Sequence, residues 1–177
     1  MTISANVWRV LCVDGDTETC TKLEPIFANF IFKNKGLDIS HVQSQNIINS
    51  FIDRITPELI LITIRKSQLA YITKFLSLIE NHPDLGDLPI IIISSGNLEN
   101  ILAGVSLDNF NIQAFIDLSH CFQFNTIQLI KSALNNAETL KKYQQQTTEL
   151  EFSKKQLENS TELMEETEVL TQSGGWE

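Results

Sequence analysis

The sequence predicts an α/β protein in which helices cover both faces of one five-stranded parallel sheet. Five short apolar segments alternate with segments of helical periodicity, which is the pattern of a parallel sheet with helical crossovers. Residues 59–64 are almost entirely apolar, as a strand covered on both sides requires. Because crossovers are right-handed, few strand orders are possible, and we expect the order 2-1-3-4-5.

Each element follows from a local pattern of apolar residues and chain-breaking signals. The predicted strands are residues 7–13, 37–42, 59–64, 89–93 and 114–116. The predicted helices are residues 17–33, a short segment around 47–52, 67–80, 97–107 and 124–171. In the first helix, the residues expected to face the core are Leu23, Phe27, Phe30 and Ile31. Pro25 should kink this helix or mark its true start, and Gly36 should supply the left-handed residue that follows its end.

Composition and charge exclude several classes of function. The chain has 177 residues and a net charge of −9, and it lacks the basic surface of a nucleic-acid-binding protein. Its apolar runs are too short to span a membrane, and its N-terminus does not resemble a signal peptide. The three cysteines, Cys12, Cys20 and Cys121, have no metal-ligand spacing, so free thiols are expected. We therefore expect a cytoplasmic protein without a metal, a cofactor or a membrane contact.

Polar residues follow the predicted central strands at their carboxyl ends. Asp14 and Asp16 follow the first strand, Thr63 closes the third, and Ser94 follows the fourth. In the expected strand order, ligands bind beyond the carboxyl ends of the first and third strands. We therefore expect these side chains to lie close together. The alternative is a purely structural role, in which the acids cap a helix and the hydroxyls form hydrogen bonds with backbone groups at the strand ends.

Four segments, in this order and spacing, resemble the receiver domain of bacterial two-component response regulators, the CheY-like family, over residues 7–134. RVLCVD at residues 9–14 resembles the first strand and the start of the acidic pair, and PELILI at residues 57–62 resembles the run before the phosphoacceptor. LPIIIISS at residues 88–95 resembles the fourth strand with the switch hydroxyl Ser94. AFI at residues 114–116 resembles the fifth strand with the switch aromatic Phe115. The resemblance implies a flavodoxin-like fold and a phosphoryl-accepting switch.

The chain departs from that family at three positions on which its chemistry depends. Thr63 stands at the phosphoacceptor position, and its hydroxyl cannot form an acyl phosphate. Gly15 replaces the second acid of the Mg²⁺-binding pair after Asp14, and Asp16 is one residue out of place. Leu118 stands where the family has a lysine. These departures predict a degenerate pseudo-receiver that is not an enzyme.

The last part of the chain predicts a coiled-coil helix. From residue 135 onward there are nine acidic and four basic residues, a local charge of 4 − 9 = −5, which places a boundary near residue 134. Apolar residues repeat every seven positions, which predicts a left-handed coiled coil over residues 135–171. The predicted seam residues are Leu129, Ala133, Leu140, Tyr143, Leu150, Leu157 and Met164. A parallel homodimer is favoured over a single helix packed on its own domain.

Residues 172–177 end in Gly-Trp-Glu, which resembles the opening of a PAS domain. The chain is therefore expected to be a piece of a longer signalling protein, with a PAS domain and then a diguanylate cyclase or a histidine kinase downstream. Two functions follow from the sequence. One is a non-catalytic module that dimerises and relays a signal through its helix. The alternative is a phosphorylation-dependent switch with an atypical site, through metal-free chemistry or a kinase that acts on Thr63 or Ser94.

Overall fold

One parallel sheet organises the computed structural model, which describes residues 7–14, 17–42, 56–64, 69–82, 85–94, 107, 109–118 and 123–173. In chain order its elements are β1 (Val7–Asp14), α1 (Thr17–Ala28), β2 (Gly36–Val42), β3 (Leu59–Ile64), α2 (Leu69–Glu80), β4 (Ile90–Ser94), β5 (Ile112–Asp117) and α3 (Gln123–Ser173). The strand order is β2-β1-β3-β4-β5, and all pairs are parallel. The predicted fold class and strand order are confirmed.

The two faces of the sheet carry separate hydrophobic cores. One core joins alternate residues of β1, β3 and β4 to α1 and to the first part of α3, through residues such as Leu23, Phe27 and Ile130. The other joins the intervening strand residues to α2, through Phe75 and Ile79. Every residue of β3 and β4 is buried. Their nearly continuous apolar sequences are therefore explained by burial on both sides.

The first helix is shorter than predicted, since it ends at Ala28 and not at residue 33. Lys33 and Asn34 have positive φ angles of 51° and 60°, and residues 32 and 35 exchange two backbone hydrogen bonds of 3.0 Å. Two successive left-handed residues make a tight reversal of the chain, which a helix cannot contain. The left-handed role expected of Gly36 was wrong, because Gly36 is the first residue of β2 and has no positive φ.

The tight turn also changes which side chains reach the core. Phe30 is buried as predicted, whereas the prediction for Ile31 was wrong because its side chain is 68% exposed. Phe32 instead stacks on the buried Trp8 ring at 5.8 Å between ring centroids, and its carbonyl accepts a 2.9 Å hydrogen bond from Trp8 Nε1. On the far side of the turn, the Lys33 ammonium binds Asn135 Oδ1 at 2.9 Å and also the carboxylate of Glu138.

The remaining strands and helices differ from the predictions mainly at their ends. The fifth strand is longer than the predicted residues 114–116, and the fourth strand includes Ser94. Helix α2 begins, within the described residues, at Leu69. The helices predicted at residues 47–52 and 97–107 lie outside the described residues, apart from residue 107.

The long last helix is present as a single element of 51 residues. The chain divides within it into two compact units, Met1–Glu138 and Thr139–Glu177. In the first unit, Ala133 is fully buried and Leu129 packs against the core. These two predicted seam residues thus belong to the packing of the first unit, and the exposed part of the seam begins at Leu140. No described helix carries an apolar stretch sufficient to cross a membrane.

Candidate functional site

The carboxyl ends of β1, β3 and β4 bring the predicted site positions into register. The Cα of Asp14 pairs with that of Thr63, and Thr63 pairs in turn with Ile93 on β4. One step further, Ser94 pairs with Ile64 on one side and with Asp117 on the other. Gly15 and Asp16, the other two residues of the predicted acidic-pair position, lie outside the described residues.

Thr63 is enclosed at this edge. It is fully buried, and its hydroxyl donates a 3.3 Å hydrogen bond to the carbonyl of Val13, the residue before Asp14. Alternation along the strand places Thr63 on the same face as Leu59 and Leu61, which belong to the α1 and α3 core. Thr63, the residue predicted to stand at the phosphoacceptor position, is therefore part of the interior, and its hydroxyl binds the neighbouring strand.

Three further predicted positions are Ser94 and Phe115, expected as switch residues, and Leu118, which stands where a lysine was expected. Ser94 is fully buried, and its carbonyl accepts a 2.8 Å hydrogen bond from the backbone N–H of Leu118. The Leu118 side chain is half-buried against the α1 and α3 core. Phe115 lies on β5, at the edge of the sheet, and is 46% exposed. The position of the expected lysine is thus filled by an apolar side chain that contributes to the core.

All the buried polar side chains among the described residues are hydroxyls: Thr19, Thr63, Ser94 and Thr126. Thr19 and Thr126 were missed by sequence reasoning. The signal that could have found them is helical spacing, because Thr19 precedes Leu23 by four residues and Thr126 precedes Ile130 by four, which places each on the apolar stripe of its helix. Within the described part of the chain, Thr126 Oγ1 is buried without a hydrogen-bond partner.

The two carboxylate residues at the described strand ends lie too far apart to share one Mg²⁺ ion. Mg²⁺ requires several oxygen ligands at about 2.1 Å in near-octahedral geometry. The two carboxylate residues at the described strand ends are Asp14 on β1 and Asp117 on β5, which are three strand spacings apart, or about 14 Å. The hydroxyl of Thr63, between them, is engaged with Val13. No group of three or more His, Cys, Asp or Glu suited to a metal occurs among the described residues.

The second compact unit presents a row of exposed apolar side chains along α3. Tyr143, Leu150, Leu157 and Met164 repeat every seven residues, and each is between 64% and 70% exposed. Leu140 lies three residues before Tyr143 and is also exposed. Phe152 and Leu163 are exposed as well, but the heptad spacing places both outside this row. An isolated helix leaves such a row in contact with water.

Comparisons with known proteins identify the fold. No family model matches the chain, and no curated protein matches it either. Among solved structures, the chain is similar to a signal receiver domain of a two-component signal transduction histidine kinase from Clostridium thermocellum, with a TM-score of 0.57 and 20% sequence identity. The match covers 72% of this chain and 97% of that one. At this identity the likeness concerns the fold, and it agrees with the order of the five parallel strands.

Proposed function

Starting from the receiver fold, we propose that this chain is a non-catalytic signal-relay module of the two-component type. In this proposal the receiver-like unit dimerises and passes a conformational or partner signal through α3 to a downstream output domain. In this proposal the output domain is a PAS domain followed by a diguanylate cyclase or a histidine kinase. The proposal assigns the fold a binding and relay role and no phosphoryl transfer.

The burial of Thr63 is the observation that carries this proposal. An accepting group must be reached by the phosphoryl donor, and it must be a carboxylate to form an acyl phosphate. Thr63 is a neutral hydroxyl, it is fully buried, and it already donates to the Val13 carbonyl. The apolar Leu118 at the lysine position would also leave a phosphate without a neighbouring cation from β5.

The alternative function, phosphorylation of an atypical site, is less well supported by the same geometry. A kinase that modified Thr63 or Ser94 would need access to a hydroxyl that is fully buried in both cases. The modification would also place about two negative charges beside Asp14, whose Cα pairs with that of Thr63.

The test is the intact mass of the protein after incubation with acetyl phosphate and Mg²⁺, with a receiver of known activity in the same reaction as a control. We expect no added phosphoryl group. Thr63→Val and Ser94→Ala serve as matched variants, because an adduct that one of them abolishes identifies the modified hydroxyl. An adduct on the wild-type protein, in the amount formed on the control receiver, would reject the non-catalytic proposal.

Dimerisation is supported by the exposed apolar row of α3. Four large side chains at heptad spacing are more than half exposed, and pairing of two helices would remove them from water. Light scattering should give the mass of a dimer. The double change Leu150→Ser and Leu157→Ser should shift the protein to monomer, and the change Phe152→Ser, which lies outside the row, should not. A wild-type monomer at all concentrations would reject the dimer.

A further inference from the structure

The polar side chains within the seam have partners inside their own helix. Between the apolar residues lies a second row, three residues before each of them: Leu140, Thr147, Lys154 and Thr161. The hydroxyls of Thr147 and Thr161 each donate a 2.9 Å hydrogen bond to the carbonyl four residues earlier. The Lys154 ammonium lies 3.8 Å from the carboxylate of Glu158. Covering this row with another helix therefore leaves no hydroxyl without a partner.

The two flanks of the seam differ in charge. The residue after each apolar seam residue is an acid in three successive heptads: Glu151, Glu158 and Glu165. The opposite flank, just before the polar row, is neutral: Gln146, Ser153 and Ser160. The described side chains of the two flanks are all exposed: Glu151, Glu158, Gln146, Ser153 and Ser160. The helix thus has one acidic and one neutral border to its apolar row.

We infer that the partner of this seam is a second copy of the chain, aligned in parallel and in register. This inference rests on the proposed function, which supplies the second copy. In a parallel pair the acidic flank of each helix faces the neutral flank of the other, so Glu158 lies near Ser153 of the second copy. In an antiparallel pair the two acidic flanks face each other, which places like charges side by side along three heptads.

The composition of the two rows favours the same alignment. A parallel pair in register stacks Leu150 on Leu150 and Leu157 on Leu157, so that apolar residues meet apolar residues. An antiparallel pair sets each of these leucines against the row that contains Thr147, Lys154 and Thr161. Leucine in the row of Leu150 and Leu157 is also the choice typical of two-stranded coiled coils.

Lys154 sets the register of the parallel pair. When the two helices are in register, the two Lys154 side chains share one layer, each beside the Glu158 carboxylate of its own helix. A shift by one heptad would set Lys154 against Thr147 or Thr161 and leave two lysine layers. A single charged residue in such a row is known to specify alignment at some cost in stability.

Cysteine cross-linking on the full chain tests the orientation. Thr147→Cys and Thr161→Cys, made separately, place one thiol in the seam at points 14 residues apart, or about 21 Å along the helix. Under mild oxidation each variant should form a disulfide-linked dimer by itself. Asn159→Cys on the outer face is the matched control, and the wild type controls for Cys12, Cys20 and Cys121; neither should link to that extent.

The outcomes separate this inference from the proposed function. Light scattering on the reduced proteins reports whether a dimer exists, independently of its orientation. A reduced dimer in which the two cysteine variants link only when mixed, or in which only one of them links alone, would overturn the parallel alignment and leave the dimer standing. A reduced monomer would overturn both, and a trimer or larger assembly would overturn the two-stranded pairing.

Discussion

Among the described residues of the first unit, the buried polar side chains are all hydroxyls, which need no counter-charge when they are buried. A hydroxyl with a hydrogen-bond partner is buried at little cost, whereas a carboxylate without a counter-charge costs several kcal/mol. Thr63 has such a partner in the carbonyl of Val13. Thr63 is therefore buried with its hydroxyl hydrogen-bonded, at little cost in free energy.

Removing two buried hydroxyls should change stability in opposite directions. Thr63→Val removes the hydrogen bond to Val13 and should lower the free energy of unfolding by about 0.5–1.5 kcal/mol. Thr126→Val removes a buried hydroxyl that has no partner among the described residues, and should raise the same free energy by about 1 kcal/mol. Urea denaturation of both variants is the measurement. Equal losses in the two would show that Thr126 is hydrogen-bonded in solution.

An acid at position 63 should destabilise the protein in a pH-dependent way. Thr63→Asp places a carboxyl group in a fully buried position, and should cost roughly 3–5 kcal/mol at neutral pH. Burial raises the pKa of this carboxyl in the folded state above the unfolded value of about 3.9. The variant should therefore approach Thr63→Val in stability below about pH 4, and lose stability as the pH rises through the raised folded pKa. Denaturation at several pH values measures this, and a constant difference would contradict it.

At the scale of elements, the turn between α1 and β2 shows where sequence reasoning stops. The strands β3 and β4 were predictable, because a continuous apolar run in an α/β pattern has one common explanation. The end of α1 was not, because the apolar spacing of Phe27, Phe30 and Ile31 continues through the point where the chain reverses. The reversal depends on positive φ angles at Lys33 and Asn34, and a lysine there gives no signal.

In the candidate site, too, the positions of residues were predictable from the sequence and their burial was not. Thr63, Ser94 and Leu118 could be located from the sequence, because the strand order fixes which strand ends are neighbours. The burial of Thr63 and Ser94 could not, because it depends on three-dimensional packing and not on local sequence. The burial of Thr19 and Thr126 was not predicted either, because a threonine within the apolar stripe of a helix is normally interpreted as a polar break in that stripe.

Two adjacent residues test where α1 and its packing end. Phe30→Ala removes a buried aromatic side chain from the α1 and α3 core, and should lower the free energy of unfolding by about 3–5 kcal/mol. Ile31→Ser changes a side chain that is 68% exposed, and should alter it by less than about 0.5 kcal/mol. Thermal or urea denaturation compares the two. A loss of several kcal/mol for Ile31→Ser would show that Ile31 is buried, as the prediction of a helix over residues 17–33 required.

At the scale of the whole molecule, the two compact units have different sources of stability. The first unit buries two cores on the faces of its sheet. The described large apolar side chains of the second unit are all exposed, including Tyr143, Leu150 and Leu157. In proteins most helical stability comes from the packing of an apolar face, and in the proposed dimer the second copy supplies that packing. Self-association and the order of the second unit should therefore be measured together.

Lys154 provides the test of that dependence. Lys154→Ile replaces the charged residue of the seam with a β-branched apolar one, which two-stranded coiled coils favour in this row. The proposed dimer should tighten by at least about tenfold, or roughly 1.4 kcal/mol, because a desolvated charge is exchanged for apolar contact. Lys155→Ile is the matched control, because Lys155 is exposed and lies outside the two rows of the seam, where the second helix would not cover it. Sedimentation equilibrium measures both dissociation constants. A weaker dimer for Lys154→Ile, or equal tightening by Lys155→Ile, would place the pairing surface on another face of α3.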